Sequence, residues 1–228
     1  MVGPSADNIM KAKTALPIAF GFVILGLIGW SNPEVVQTWF EEVRENANSE
    51  SESPLVGIQE QENWLVVVVD FSDEESGNGR DIIQAKGLLD GSNGAVGYIE
   101  IMSGGESSLN LTYHSEIIRA SLPSSSYGHD AENTRDVGSV EGGPAALAAE
   151  VITKLASKID WSPFDLDKDG NVDRLLILHT AKPQEDGSGA TSRIWSHFGP
   201  LQEEIDLKDG LAVHHYTMAS LRSSNYRG

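Results

Sequence analysis

The densest chemistry in the chain is the stretch Phe164-Asp165-Leu166-Asp167-Lys168-Asp169-Gly170-Asn171-Val172-Asp173, which runs directly into the apolar segment Leu175-Leu176-Ile177-Leu178-His179. Alternating carboxylates around a glycine that can take a left-handed turn are how a loop offers oxygens to a hard cation such as calcium. If Asp165 is the first position of a calcium loop, Asp167, Asp169 and Asp173 fall on the third, fifth and ninth, and Gly170 on the sixth, which is the EF-hand order. The twelfth position breaks the pattern. An EF-hand supplies a bidentate Glu there, and here Leu176 stands inside an apolar, strand-like run. The expected calcium ligands are therefore Asp165, Asp167, Asp169, Asn171 and Asp173, completed by a carboxylate from elsewhere or by water. The competing reading is an Asp-rich turn with no ion. Carboxylates without imidazole do not suit zinc.

Other chemistries are narrowed by what surrounds this loop. The 228 residues contain no cysteine, which excludes disulfides, thiolate metal sites and a cysteine nucleophile. A formal charge of -18 argues against nucleic acid or an anionic membrane surface as partner. The histidines are His114, His129, His179, His197, His214 and His215, and none is followed by Glu at the spacing of a His-Glu-x-x-His zinc helix. His214 and His215 are adjacent, so on a strand they face opposite ways and cannot share a metal. His179 and His197 are expected as hydrogen-bonded structural histidines. Neither a Gly-x-Ser-x-Gly elbow nor a phosphate-binding glycine loop is present.

These residues need elements to hold them. Trp64-Leu65-Val66-Val67-Val68-Val69-Asp70-Phe71 has the β-branched, two-faced apolarity of a central buried strand, and Leu175 to Leu178 reads the same way. Tyr98-Ile99-Glu100-Ile101-Met102 and Leu109-Asn110-Leu111-Thr112-Tyr113 read as two strands of a hairpin turned by Ser103-Gly104-Gly105-Glu106. Pro144 opens a helix in which Leu147, Val151, Ile152, Leu155 and Ile159 recur at three- and four-residue steps. Strands mixed with helix predict an α/β or α+β layered domain over residues 55–228. Asn110-Leu111-Thr112 is also an N-glycosylation sequon, on what reads as a half-buried strand, and chance occurrence is its default reading.

Ahead of that domain, residues 14–30 form a charge-free apolar run of about the minimum length that spans a bilayer. Lysines precede it and acids follow it, which predicts a cytoplasmic segment 1–13, a single transmembrane signal anchor 14–30, and an extracytoplasmic remainder. No Ala-x-Ala site follows, so a retained anchor is expected over secretion after signal cleavage. Residues 31–54 read as a short juxtamembrane helix with Val35, Val36, Trp39, Phe40 and Val43 along one side, followed by an acidic Ser/Glu-rich linker.

Taken together, Ile159-Asp160-Trp161-Ser162-Pro163-Phe164, the Asp-rich loop to Asp173, Leu175 to His179, and Ile194-Trp195-Ser196-His197 resemble the immune inhibitor A family, secreted zinc metallopeptidases of peptidase family M six. Val69-Asp70-Phe71-Ser72-Asp73, Leu122-Pro123 and Tyr127-Gly128 are similar to that family's upstream features, and the likeness covers about Leu65 to Tyr216. It implies a zincin-like α/β domain, proteolysis of peptide or protein substrates, calcium in the loop and zinc on a later His-Glu-x-x-His helix, whose Glu activates the attacking water. That helix would follow Tyr216-Thr217-Met218-Ala219-Ser220, and it is not among these residues. The expectation is thus an inactive N-terminal portion of a longer peptidase, with zinc only in the full-length protein. A non-catalytic, membrane-tethered calcium-binding or adhesion module is the alternative.

Overall fold

The structure is a computed structural model that describes residues 56–77, 80–131, 134–187 and 190–222. The chain divides into two units, Met1–Pro54 and Leu55–Gly228, and the described residues belong to the second. The expected anchor, juxtamembrane helix and linker therefore lie outside the described residues. Among the described residues no helix is long and apolar enough to cross a membrane.

Six strands form one mostly parallel sheet. They are β1 (Gln61–Asp70), β2 (Ser108–Tyr113), β3 (Ile118–Arg119), β4 (Leu175–His179), β5 (His197–Asp206) and β6 (Ala212–Ser220). The order is β2-β1-β4-β6-β5, with β3 pairing on β1 beyond the end of β2. β1, β2, β3, β4 and β6 run parallel, and β5 returns antiparallel along the outside of β6. Parallel strands need covered faces, and four helices supply or flank that cover: α1 (Arg80–Leu89), α2 (Ala95–Met102), α3 (Ser124–Tyr127) and α4 (Gly143–Leu155). The fold is a mixed α/β layered domain.

The continuous apolarity of β1 follows from its place in the middle of the sheet. Leu65, Val67, Val69 and Phe71 point into one core with Leu147, Ala148, Val151, Ile152 and Leu155 of α4, while Val66 and Val68 point into a second core with Ala85 of α1. β4 divides likewise, Leu175 and Ile177 to the α4 side, Leu176 and Leu178 to the α1 side. Pro144 lies in the first turn of α4, where its missing N–H costs nothing, and Ile159 falls beyond the helix yet packs on its core.

The expected hairpin is not formed. Residues 95–102 are helix α2, and β2 pairs parallel to β1 rather than antiparallel to a neighbour in sequence. Ser103-Gly104-Gly105 is the helix stop: Ser103 N–H donates to Ile99 O and Gly105 N–H to Glu100 O, with Gly104 and Gly105 at φ 67° and 85°. A glycine pair after an apolar run serves a helix C-terminus as well as a turn, and the long-range pairing of β2 decided between them.

Core position and exposed apolar position are separable by measurement. Ile177→Ala, at a site with 0% exposure, should cost about 2–5 kcal/mol by denaturant unfolding. Ile101→Ser, at 74% exposure, should stay within about 0.5 kcal/mol of the parent.

Candidate metal centre

The Asp-rich loop enters β4 from a short helical turn, Ser162–Phe164, and doubles back at Lys168 (φ 65°) and Gly170 (φ 95°). That reversal brings Asp165, Asp167 and Asp173 together, each with a carboxylate oxygen within 4.8 Å of the others. Backbone donors fix the carboxylates. Gly170 N–H donates to Asp165 Oδ2 at 3.1 Å, Asp169 N–H to Asp167 Oδ1 at 3.2 Å, and Leu166 N–H to Asp173 Oδ2 at 2.7 Å. Asp165 Oδ1 is buried with no hydrogen-bond partner, as a lone pair reserved for a cation would be. Burial raises the pKa of Asp173, and the Asp167 and Asp169 charges add to this against the Leu166 N–H and Arg174. The donor set is all oxygen and all acidic, which fits calcium.

The other expected ligands stand differently. Asp169 is exposed, lies outside the trio and accepts the Asn171 N–H at 2.7 Å. Asn171 makes a parallel bridge to Ala212, and its neighbours are tied to the same residue: Ala212 N–H donates to Gly170 O at 2.8 Å and Val172 N–H to Ala212 O at 2.9 Å. Leu176 is 6% exposed inside β4, so the twelfth position offers no ligand. Phe164 and Val172, both buried, key the loop's two ends into the α4-side core.

Directly after the loop, Arg174 Nε donates to Glu62 Oε2 at 2.6 Å, and its Nη2 reaches Glu62 Oε1 and the Val56 and Gly57 carbonyls. Glu62 is 1% exposed. Burial alone would raise its pKa, but bonds from Arg174, the Gln59 N–H and the Trp64 indole outweigh that and lower it. The carboxylate stays charged.

A second cluster lies at the carboxyl ends of the parallel strands, the opposite end of β4 and the edge where open α/β sheets gather functional groups. His179 ends β4 with 0% exposure, its ring edge-on to Phe71, and neither ring nitrogen closes a well-formed hydrogen bond. Burial depresses its pKa to about 4 against the Ala181 backbone and Glu185, and His197 pushes the same way as burial. His197 is fully bonded, Nδ1 to Trp195 O at 2.7 Å and Nε2 to Tyr216 Oη at 2.8 Å. Asp136, with φ 52°, accepts the Trp195 N–H, and burial pushes its pKa up to about 6 against that bond and the His197 ring, with Asp130 and Glu185 adding to the rise. Glu185 holds the Ser196 hydroxyl, Asp130 holds the Gln184 amide, and Arg135 lies over the Trp195 ring at 4.1 Å. Gly128 lets these loops touch, since a Cβ there would stand 2.4 Å from the Arg193 and Ile194 backbone.

The sequence expectation thus meets the structure at His197, paired as foreseen, and not at His179, which is buried without a well-formed bond. His214 pairs with Glu204 while His215 stacks on Phe198, as opposite-facing neighbours on β6 should. Asp130, Asp136, Glu185 and Tyr216 carry no local sequence signature. They come from separate loops and a strand, and no spacing in the sequence links them.

The half-buried Asp136 and the fully buried His179 give opposite pH slopes. The raised Asp136 contributes stability that is present below its unfolded pKa and lost as pH rises toward about 6. The depressed His179 contributes stability that is present above its unfolded pKa and lost as pH falls toward about 4. Between these values the slopes offset. Asp136→Asn should stabilise the chain at pH 7 by about 1–2 kcal/mol and leave a stability that climbs from pH 4 to 6.5, whereas His179→Leu should leave one that falls. Denaturant midpoints at half-unit pH steps read both. In comparisons with known proteins, no family model matches the chain and no curated protein matches it.

Proposed function

We propose that this domain is the calcium-stabilised upstream part of a membrane-anchored, extracytoplasmic zinc metallopeptidase resembling immune inhibitor A. The observations that carry the calcium part are the convergence of the Asp165, Asp167 and Asp173 carboxylates and the buried, unpartnered Oδ1 of Asp165. Asp165, Asp167 and Asp173 hold the ion, and Asp169 and Asn171 complete the loop around it. Calcium bound to the folded loop and not to the unfolded chain stabilises the fold by mass action, about 2.7 kcal/mol at a hundredfold excess over Kd. The peptidase part is supported by the Asp-loop, strand and Trp195-Ser196-His197 order, and the mixed α/β sheet is compatible with the domain that this resemblance implies. In this reading zinc and the water-activating Glu would sit on a His-Glu-x-x-His helix, a motif that residues 1–228 do not contain, and these residues alone are not expected to cleave peptides.

Thermal unfolding with calcium, magnesium, zinc or chelator tests the metal assignment. Calcium should raise the midpoint by several degrees, Asp165→Asn with Asp173→Asn should abolish that shift, and acidification should weaken it as protons compete for Asp173. An unchanged midpoint with calcium would sink the assignment, and stoichiometric zinc on the purified chain would contradict the placing of zinc elsewhere. For the peptidase, a longer form of the protein should cleave an unfolded substrate in a zinc-dependent reaction. Calcium binding without such cleavage decides for the tethered binding module.

A further inference from the structure

The two outer strands of the sheet are protected in different ways. β5 contains Pro200, Glu203, Glu204 and Asp206, and its register against β6 is interrupted between Pro200 and Ile205. Proline, charge and a bulge are the standard means of stopping a second chain from adding to an edge. β2 has none of them. Its residues, Ser108-Leu109-Asn110-Leu111-Thr112-Tyr113, carry no charge and no proline, and among the described residues its outer side has no strand partner. Such a strand is a template for intermolecular pairing.

At the centre of this unguarded strand stands the sequon Asn110-Leu111-Thr112. The sequence placed it on a half-buried strand. In the structure Leu109 is buried and Leu111 partly so, while Asn110 and Thr112 are exposed together on the opposite face. The Asn110 amide donates to its cross-strand partner Asn63 Oδ1 at 3.3 Å.

We infer that Asn110 is an N-glycosylation site and that its glycan is the guard of the β2 edge. The inference rests on the reading that the domain is exported. The co-reactant is an oligosaccharide carried on a lipid pyrophosphate. Asn110 Nδ2 forms a bond to the anomeric carbon, the bond from that carbon to the pyrophosphate oxygen breaks with its electron pair going to the leaving lipid pyrophosphate, and Nδ2 gives up one proton. Nothing is oxidised or reduced. The substituted amide keeps one N–H, enough for its bond to Asn63. A sugar tree on the exposed face of an edge strand overhangs the unpaired backbone and does sterically what Glu203 and Glu204 do by charge on β5.

The test is peptide mapping of the chain isolated from its own cells. Trypsin should release residues 87–119, which contain no internal Lys or Arg, as a glycopeptide modified at Asn110. Recovery of that peptide unmodified, from a domain that protease added to intact cells can digest, overturns the inference while leaving export standing. A domain that protease cannot reach overturns the export reading and this inference with it. Asn110→Gln and Thr112→Ala should lose the adduct and Thr112→Ser keep it. Asn110→Gln should also aggregate several-fold faster by light scattering, and Asn110→Lys, which restores a guard as charge, should return to the parent rate. Equal rates for the parent and Asn110→Gln would refute the edge-guarding role.

Discussion

Arg174 stands between two groups of carboxylates, and the interior of the sheet depends on how it divides its charge. On one side it neutralises Glu62, a carboxylate buried at the start of β1. On the other it follows Asp173 and opposes the crowding of acids in the loop. A buried ion pair gains little over apolar packing, but losing one partner strands the other at a cost of about 3–5 kcal/mol. The guanidinium therefore fixes the register of β1 against β4 and leaves the loop short of positive charge. That deficit is what a divalent cation would supply.

β4 separates two kinds of chemistry. Its amino end receives oxygens, all acidic and held by backbone N–H groups, and its carboxyl end delivers a buried imidazole against Phe71, within reach of Glu185 and His197. Between them Ile177 and Leu178 are buried on opposite faces of the sheet. Ionisation at one end is thus insulated from the other by packed side chains, and each end can be tuned without disturbing its counterpart.

What could be read from the sequence was whatever rests on local pattern. The β-branched run of β1, the Pro144 helix and the short apolar β4 are each specified by their own residues, and the doubling-back of the Asp loop follows from Gly170 among alternating acids. α2 resembles a strand in sequence because Tyr98 to Met102 is too short to show a helical period, and its stop at Gly104-Gly105 is also turn chemistry. β5 was hidden by Pro200, Glu203 and Glu204, residues that suit an edge and argue against a strand elsewhere. The carboxyl-end cluster was illegible for a different reason. Asp136 meets Trp195 across 59 positions of chain, a pairing made by the fold and written in no local motif.

The ties between the Asp loop and Ala212 join segments some forty residues apart, and they involve the first residue of β6. Opening the loop therefore means unzipping the start of a parallel strand that is paired with β4 along its other half. In amide-exchange terms the loop and the β6 entrance belong to one foldon, so Val172 and Ala212 share a single opening free energy instead of fraying as a surface turn would. Any ligand that settles the loop slows exchange on both at once, and the sheet itself becomes the reporter of what happens at its rim.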